Sequence, residues 1–147
     1  MTDAIQPPTR QTLSITAIPA LGDNYIWLLS DGLQAVCIDP GDAEPVLDYL
    51  GQTKTELTQI WITHHHADHT AGLPELIRQF PDCRVYANRD IPHATHTVGE
   101  GSRWPLWQSQ VEVWHTPGHT QTHLSYLLQA DEPARLFCGD TLFSAGC

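Results

Sequence analysis

Short apolar runs alternate with turn-forming residues along the chain, and the type of pattern changes near residue 40. Residues 13–18 (LSITAI) alternate apolar and polar, the period of a half-buried strand. Residues 25–30 (YIWLLS) and 35–38 (AVCI) are apolar and rich in β-formers, and Asp31-Gly32 between them predicts a hairpin turn. Asp39-Pro40-Gly41-Asp42 then breaks the strand. Asp42 is a good N-cap, Pro45 fits the first helical turn, and Val46, Leu47 and Leu50 share a face, so a short helix is predicted that stops at Gly51. Residues 57–63 (LTQIWIT) predict a strand that runs straight into His64. Leu73, Leu76, Ile77 and Phe80 follow the i, i+3, i+4, i+7 spacing of a helix, which Pro81 ends. Further strands are expected at 83–87, 111–115, 123–128 and 135–138. The stretch 88–110, with Gly99, Gly101 and Pro105, reads as irregular.

A hairpin meander followed by alternating strand and helix predicts a mixed sheet covered by helices, in the α/β or α+β class. One domain over residues 1–147 accounts for the length. Apolar residues make up 41% of the chain, enough for a packed core, and no apolar run reaches the ~18–20 residues that cross a bilayer. The start, MTDAIQPPTRQT, has no apolar segment of the secretory kind. Seven cations against 17 carboxylates leave a net charge of −10, which lacks the basic footprint of a nucleic-acid or anionic-membrane binder. None of the four cysteines forms a C-x-x-C pair, and Cys37 and Cys138 lie in apolar runs, so a reduced, cytoplasmic protein is expected. The five tryptophans read as packing residues.

Histidine changes the picture. There are nine, and they bunch. In Thr63-His64-His65-His66-Ala67-Asp68-His69 the cluster begins where a strand ends and stops where a helix begins, which is where open sheets place their sites. His64 and His66, two apart in extended backbone, point the same way and can share one metal ion. Asp68 and His69 follow where the chain turns and can face a second ion nearby, while His65 points away. Two later segments, His115-Thr116-Pro117-Gly118-His119 and Cys138-Gly139-Asp140-Thr141, each place one more ligand, His119 and Asp140, just past a strand. A carboxylate has two oxygens, so Asp140 could bridge two ions. Five His or Asp residues within six positions would repel and resist burial unless they bound something. Asp39 is expected to be a turn residue or, less directly, a support for a metal ligand. His65, His93, His96, His115 and His123 are expected to be non-ligands.

The H-x-H-x-D-H pattern with a later TPGHT and GDT resembles the metallo-β-lactamase superfamily. THHHADHTAG, Ile18-Pro19-Ala20-Leu21-Gly22-Asp23-Asn24-Tyr25-Ile26-Trp27 and the ending GDTLFSAGC narrow the resemblance to the glyoxalase II (hydroxyacylglutathione hydrolase) family, from about residue 14 to 147. The resemblance implies an αββα sandwich, here incomplete at its C-terminal side. It implies one metal on His64, His66 and His119, a second on Asp68 and His69, and Asp140 shared by both. The ions would be divalent, zinc most often, with iron or manganese as substitutes. Water activated between the ions would attack S-D-lactoylglutathione, giving glutathione and D-lactate, the second step of methylglyoxal detoxification, with no protein nucleophile. The substrate is a small molecule, and a monomer that binds neither nucleic acid nor membrane is expected. In the family a further histidine and a basic helical region follow the GDTLFSAGC motif, so these 147 residues alone are expected to be nearly inactive and unstable. The competing readings are a mononuclear-iron persulfide dioxygenase on the same fold, a nuclease of the superfamily, which the charge disfavours, and a non-catalytic metal-binding module.

Overall fold

The computed structural model describes residues 13–20, 24–118, 120–129 and 134–139, with the backbone of 141–144. The chain opens as a meander: β1 (Ser14–Ala20) pairs antiparallel with β2 (Asn24–Ser30), and β2 with β3 (Gln34–Ile38). The expected turn joins β2 to β3. Asp31 Oδ1 accepts from the backbone of Leu33 and Gln34 at 2.9 and 2.8 Å, and Gly32 takes φ +97°, a conformation that glycine adopts without strain.

The topology then switches to parallel. Helix α1 (Ala43–Thr53) carries the chain from β3 to β4 (Glu56–Trp61), and α2 (Ala67–Thr70) with α3 (Leu73–Gln79) carries it to β5 (Arg84–Ala87). Asp42 caps α1 as predicted, its carboxylate accepting from Glu44 N at 3.2 Å. The predicted stop at Gly51 is corrected. The helix runs through that exposed glycine to Thr53, and Lys54, at φ 56°, makes the left-handed C-cap instead.

The stretch 88–110 is less irregular than its glycines suggested. It holds β6 (His96–Thr97), parallel to β5, and β7 (Arg103–Leu106), which is paired with β8 (Ser109–His115). Pro105 hid β7, but β7 is the edge of its sheet, where a proline costs no ladder bond on the open side. Strands β9 (Leu124–Gln129), β10 (Arg135–Cys138) and β11 (Thr141–Ser144) complete a second, antiparallel sheet, ordered β11-β10-β9-β8-β7 beside the first, β1 to β6 in sequence order.

Two cores hold three layers together. Ile26, Leu28, Cys37, Ile60 and Val85 on one face of the first sheet pack with Val46, Leu50, Leu73 and Leu76 of the helices. Leu29, Val36, Ile38 and Trp61 on the other face meet Val111, Val113, Tyr126, Leu128 and Phe137 of the second sheet. Side chains alternate across a strand, so one hydrophobic strand serves both cores. The described residues thus supply a helix layer and both sheets of the expected sandwich. Between the sheets, the buried Gln59 accepts from Trp61 Nε1 at 3.0 Å and Trp104 Nε1 at 3.1 Å.

Candidate metal centre

Parallel pairing sets Ile38 beside Trp61 and Trp61 beside Tyr86. The residues just beyond these strand ends therefore converge at one edge of the sheet. Asp39 N donates to Trp61 O at 2.9 Å and Ile62 N to Tyr86 O at 3.0 Å. Tyr126 of the second sheet donates its hydroxyl to Ile62 O at 2.7 Å, and Leu124 N donates to Thr63 O at 2.8 Å. The segment entering the histidine cluster is therefore clamped from both sheets.

Three of the predicted residues come together tightly. The ring centroids of His64 and His66 lie 4.7 Å apart, and those of His64 and His69 4.2 Å. His64 and His69 are buried. Asp68 stays exposed on α2, with its Oδ2 3.9 Å from His69 Nε2. His65 turns the other way and pairs through Nδ1 with Asp90 Oδ2 at 3.2 Å. His119 and Asp140 lie outside the described residues. Gly139 stands against the cluster: a Cβ on it would be 3.9 Å from His64 Cε1 and 3.5 Å from His123 Nε2. Of the remaining histidines, His115 contacts Gln121 O through Nε2 at 2.7 Å, His96 stacks on Tyr86, and His123 stacks on His64 at 4.9 Å while its Nδ1 meets Thr116 Oγ1 at 3.0 Å.

Asp39 is more than a turn residue. It is 1% exposed and holds φ +57°. Its Oδ1 accepts from Thr63 N at 2.7 Å, and its Oδ2 lies 2.6 Å from Thr63 Oγ1 and 3.0 Å from His69 Nδ1. A carboxylate only accepts, so His69 carries its proton on Nδ1. Thr63 gives its single hydroxyl proton to Asp39, so in the 2.8 Å contact between Thr63 Oγ1 and His64 Nδ1 the imidazole is the donor. Asp39 thus sets both tautomers, one directly and one through Thr63, and leaves each Nε2 with its lone pair.

Asp39, His64 and His69 offer ligand atoms that all lie within 4.8 Å of one another. Both Asp39 oxygens already accept hydrogen bonds, so Asp39 anchors the two imidazoles from their Nδ1 side. The parallel pairing of β3 with β4, which a sequence does not display, is what brings Asp39 under Thr63.

Electrostatics suit a cation. Burial pushes the His64 pKa down to about 4, against the pull of Asp39 and with help from His69, His123 and His66, so His64 is neutral at pH 7. A hydrogen bond from Asn24 holds the Asp68 carboxyl below the usual carboxylate range, weak burial opposing and His69 assisting. The donor set therefore fits a divalent transition metal: imidazoles whose Nδ1 protons are held by the protein, and an ionised carboxylate. The 3.9 Å between Asp68 Oδ2 and His69 Nε2 is near the ~3.3 Å that separates two donors each about 2 Å from one tetrahedral ion. A groove of about 240 Å³ lies alongside, lined by His65, Thr70, Leu73, Asp90, Ile91 and His93. A larger one, about 310 Å³, sits near Glu56 and Arg84 at the opposite strand ends, away from this chemistry.

The profile of the metallo-beta-lactamase superfamily matches residues 20–147, and the chain belongs to that superfamily. Within it, the chain is 49% identical over 135 residues to the hydroxyacylglutathione hydrolase of Neisseria gonorrhoeae, covering 92% of this chain and 54% of that protein. It is also 49% identical over 138 residues to the enzyme of the same name from Aliivibrio fischeri, with 92% and 53% coverage. The chain spans about half the length of these relatives. Among solved structures, ETHE1 from Myxococcus xanthus superposes with a TM-score of 0.66 at 31% identity, over 78% of this chain and 53% of that one. A Cronobacter sakazakii metallo-beta-lactamase reaches a TM-score of 0.71 at 17% identity, over 83% and 57%, a likeness of fold alone.

Proposed function

We propose that this chain carries the metal-binding half of a hydroxyacylglutathione hydrolase, which hydrolyses S-D-lactoylglutathione to glutathione and D-lactate in methylglyoxal detoxification. The carrying observation is the Asp39–Thr63 network, which spends the Nδ1 protons of His64 and His69 on the protein and leaves their Nε2 lone pairs for an ion. The 49% identity to the Neisseria and Aliivibrio enzymes supplies the substrate class.

His64, His66 and His119 would hold one ion, Asp68 and His69 a second, and Asp140 would be shared. Zinc suits imidazole and carboxylate donors, and iron and manganese are the alternatives. Bound there, divalent ions supply Lewis acidity that activates water at neutral pH and polarises a thioester carbonyl. The chain's own residues do the positioning. Asp39 and Thr63 lock the two imidazoles, burial keeps His64 neutral, and the clamp from Tyr126 and Leu124 keeps the loop from swinging away. A thiolate leaves readily, so the reaction asks for no dedicated protein acid.

The test is thiol release from S-D-lactoylglutathione by the zinc-loaded chain and by the longest product of its gene. Release that disappears on chelation and in His64→Ala supports the reading. Metal binding without release by either protein moves the reading to a non-catalytic module. Oxygen uptake with glutathione persulfide by a protein holding one iron overturns it in favour of a dioxygenase.

A further inference from the structure

We propose that Asn24 is a positioning residue for the second ion of this centre, acting by orienting the carboxylate of Asp68. The proposal rests on the reading of Asp68 and His69 as ligands.

The geometry is direct. Asn24 Nδ2 donates to Asp68 Oδ2 at 2.8 Å and also lies 3.4 Å from Asp68 O. One amide group therefore grips both the side chain and the backbone of a residue 44 positions away. The oxygen it grips is the one 3.9 Å from His69 Nε2. Asp68 sits in the first turn of a four-residue helix with its side chain 48% exposed. A half-exposed carboxylate that nothing held would sweep through solvent. A hydrogen bond to an ionised group, which is stronger than a neutral one, narrows that sweep.

Strand periodicity explains why residue 24 supplies this bond. Ile26 and Leu28 point to the helix side of the first sheet and pack in its core. Asn24, two residues before Ile26, lies on the same face, one step beyond the core, at the end where α2 begins. Tyr25 falls on the opposite face and is 43% exposed. The Asn-Tyr-Ile-Trp stretch thus contains one polar residue on the helix face, and that residue meets the candidate ligand.

The experiment is equilibrium dialysis of the metal-free chain against Zn(II) alone, with bound zinc counted for wild type, Asn24→Ala, Asp68→Ala and the double variant. The quantity followed is the zinc affinity that Asp68→Ala weakens. Asn24→Ala is expected to weaken that same affinity about 10–100-fold, the range for a partner that orients a ligand. The double variant is expected to lose little more than Asp68→Ala, because the two changes remove one interaction. The melting temperature of the metal-free Asn24→Ala chain should stay near wild type, since an exposed bond carries little folding energy. If Asp68→Ala weakens zinc binding and Asn24→Ala does not, or if the two losses add, the positioning role is wrong and the ligand assignment stands. If Asp68→Ala leaves zinc binding unchanged, the ligand assignment fails and the proposal with it.

Discussion

Replacing Asp39 by Asn probes the centre without touching a ligand. The substitution keeps the shape, and Asn tolerates the left-handed φ of +57° that Asp39 adopts, so the backbone has no reason to move. The change is confined to one group, from an acceptor to an amide that both accepts and donates. The amide oxygen keeps the bond from Thr63 N, because turning the NH2 toward that buried donor would oppose two N–H groups. Its NH2 then faces Thr63 Oγ1 and His69 Nδ1. Thr63 must accept from it and donate to His64 Nδ1, and His69 Nδ1 must accept. Both imidazoles move their proton to Nε2, the atom otherwise available to an ion. An outer partner of one ligand is typically worth 10–100-fold in metal affinity, and Asp39 serves two. The expected loss is therefore about 10²–10⁴-fold, or roughly 3–6 kcal/mol. Zinc competition against a chromophoric chelator measures the affinity, and long-range nitrogen–proton NMR of the metal-free chain reads the tautomers. A dissociation constant within about threefold of wild type, with both Nε2 atoms still unprotonated, would falsify the relay.

Three further outcomes follow from other parts of the fold. A Cβ at Gly72 would lie 2.6–2.7 Å from backbone atoms of Ala43, Asp42 and Pro40, so Gly72→Ala should cost about 3 kcal/mol in urea unfolding; a loss under about 0.5 kcal/mol would show that the α2–α3 corner gives way freely. Gln59→Leu strands the indole N–H groups of Trp61 and Trp104 between the sheets and should cost about 2–4 kcal/mol, whereas an unchanged midpoint would mean both indoles find other acceptors. The His64 pKa of about 4 in the fold lies below its value near 6.5 in the unfolded chain, so protons bind the unfolded state more tightly between these values. The metal-free chain should therefore be most stable above pH 6.5 and lose melting temperature as the pH falls from 6.5 toward 4; a fall that His64→Gln leaves unchanged would assign the loss to other groups.

How much of this was legible in the chain depends on the reach of each interaction. Helix α1 is announced by Asp42 and by the Val46, Leu47, Leu50 face, because capping and amphipathic spacing act within a few residues. Its end is not, because a left-handed cap at Lys54 competes with Gly51 and the sequence does not rank them. Strand β7 was obscured by Pro105, since whether proline is tolerated depends on the strand being an edge, a property of the whole sheet. The clustering of His64, His66, Asp68 and His69 is written in their spacing at the end of a strand. Asp39 and Asn24 are another matter. Asp39 reaches Thr63 and His69 across 24 and 30 positions, and Asn24 reaches Asp68 across 44. By itself the chain determines that a group of metal-seeking side chains stands where a strand meets a helix, because period and turn chemistry are local. Which nitrogen of each imidazole is left for the metal, and which way a surface carboxylate faces, is decided only when parallel pairing and a hairpin bring distant partners within hydrogen-bond distance.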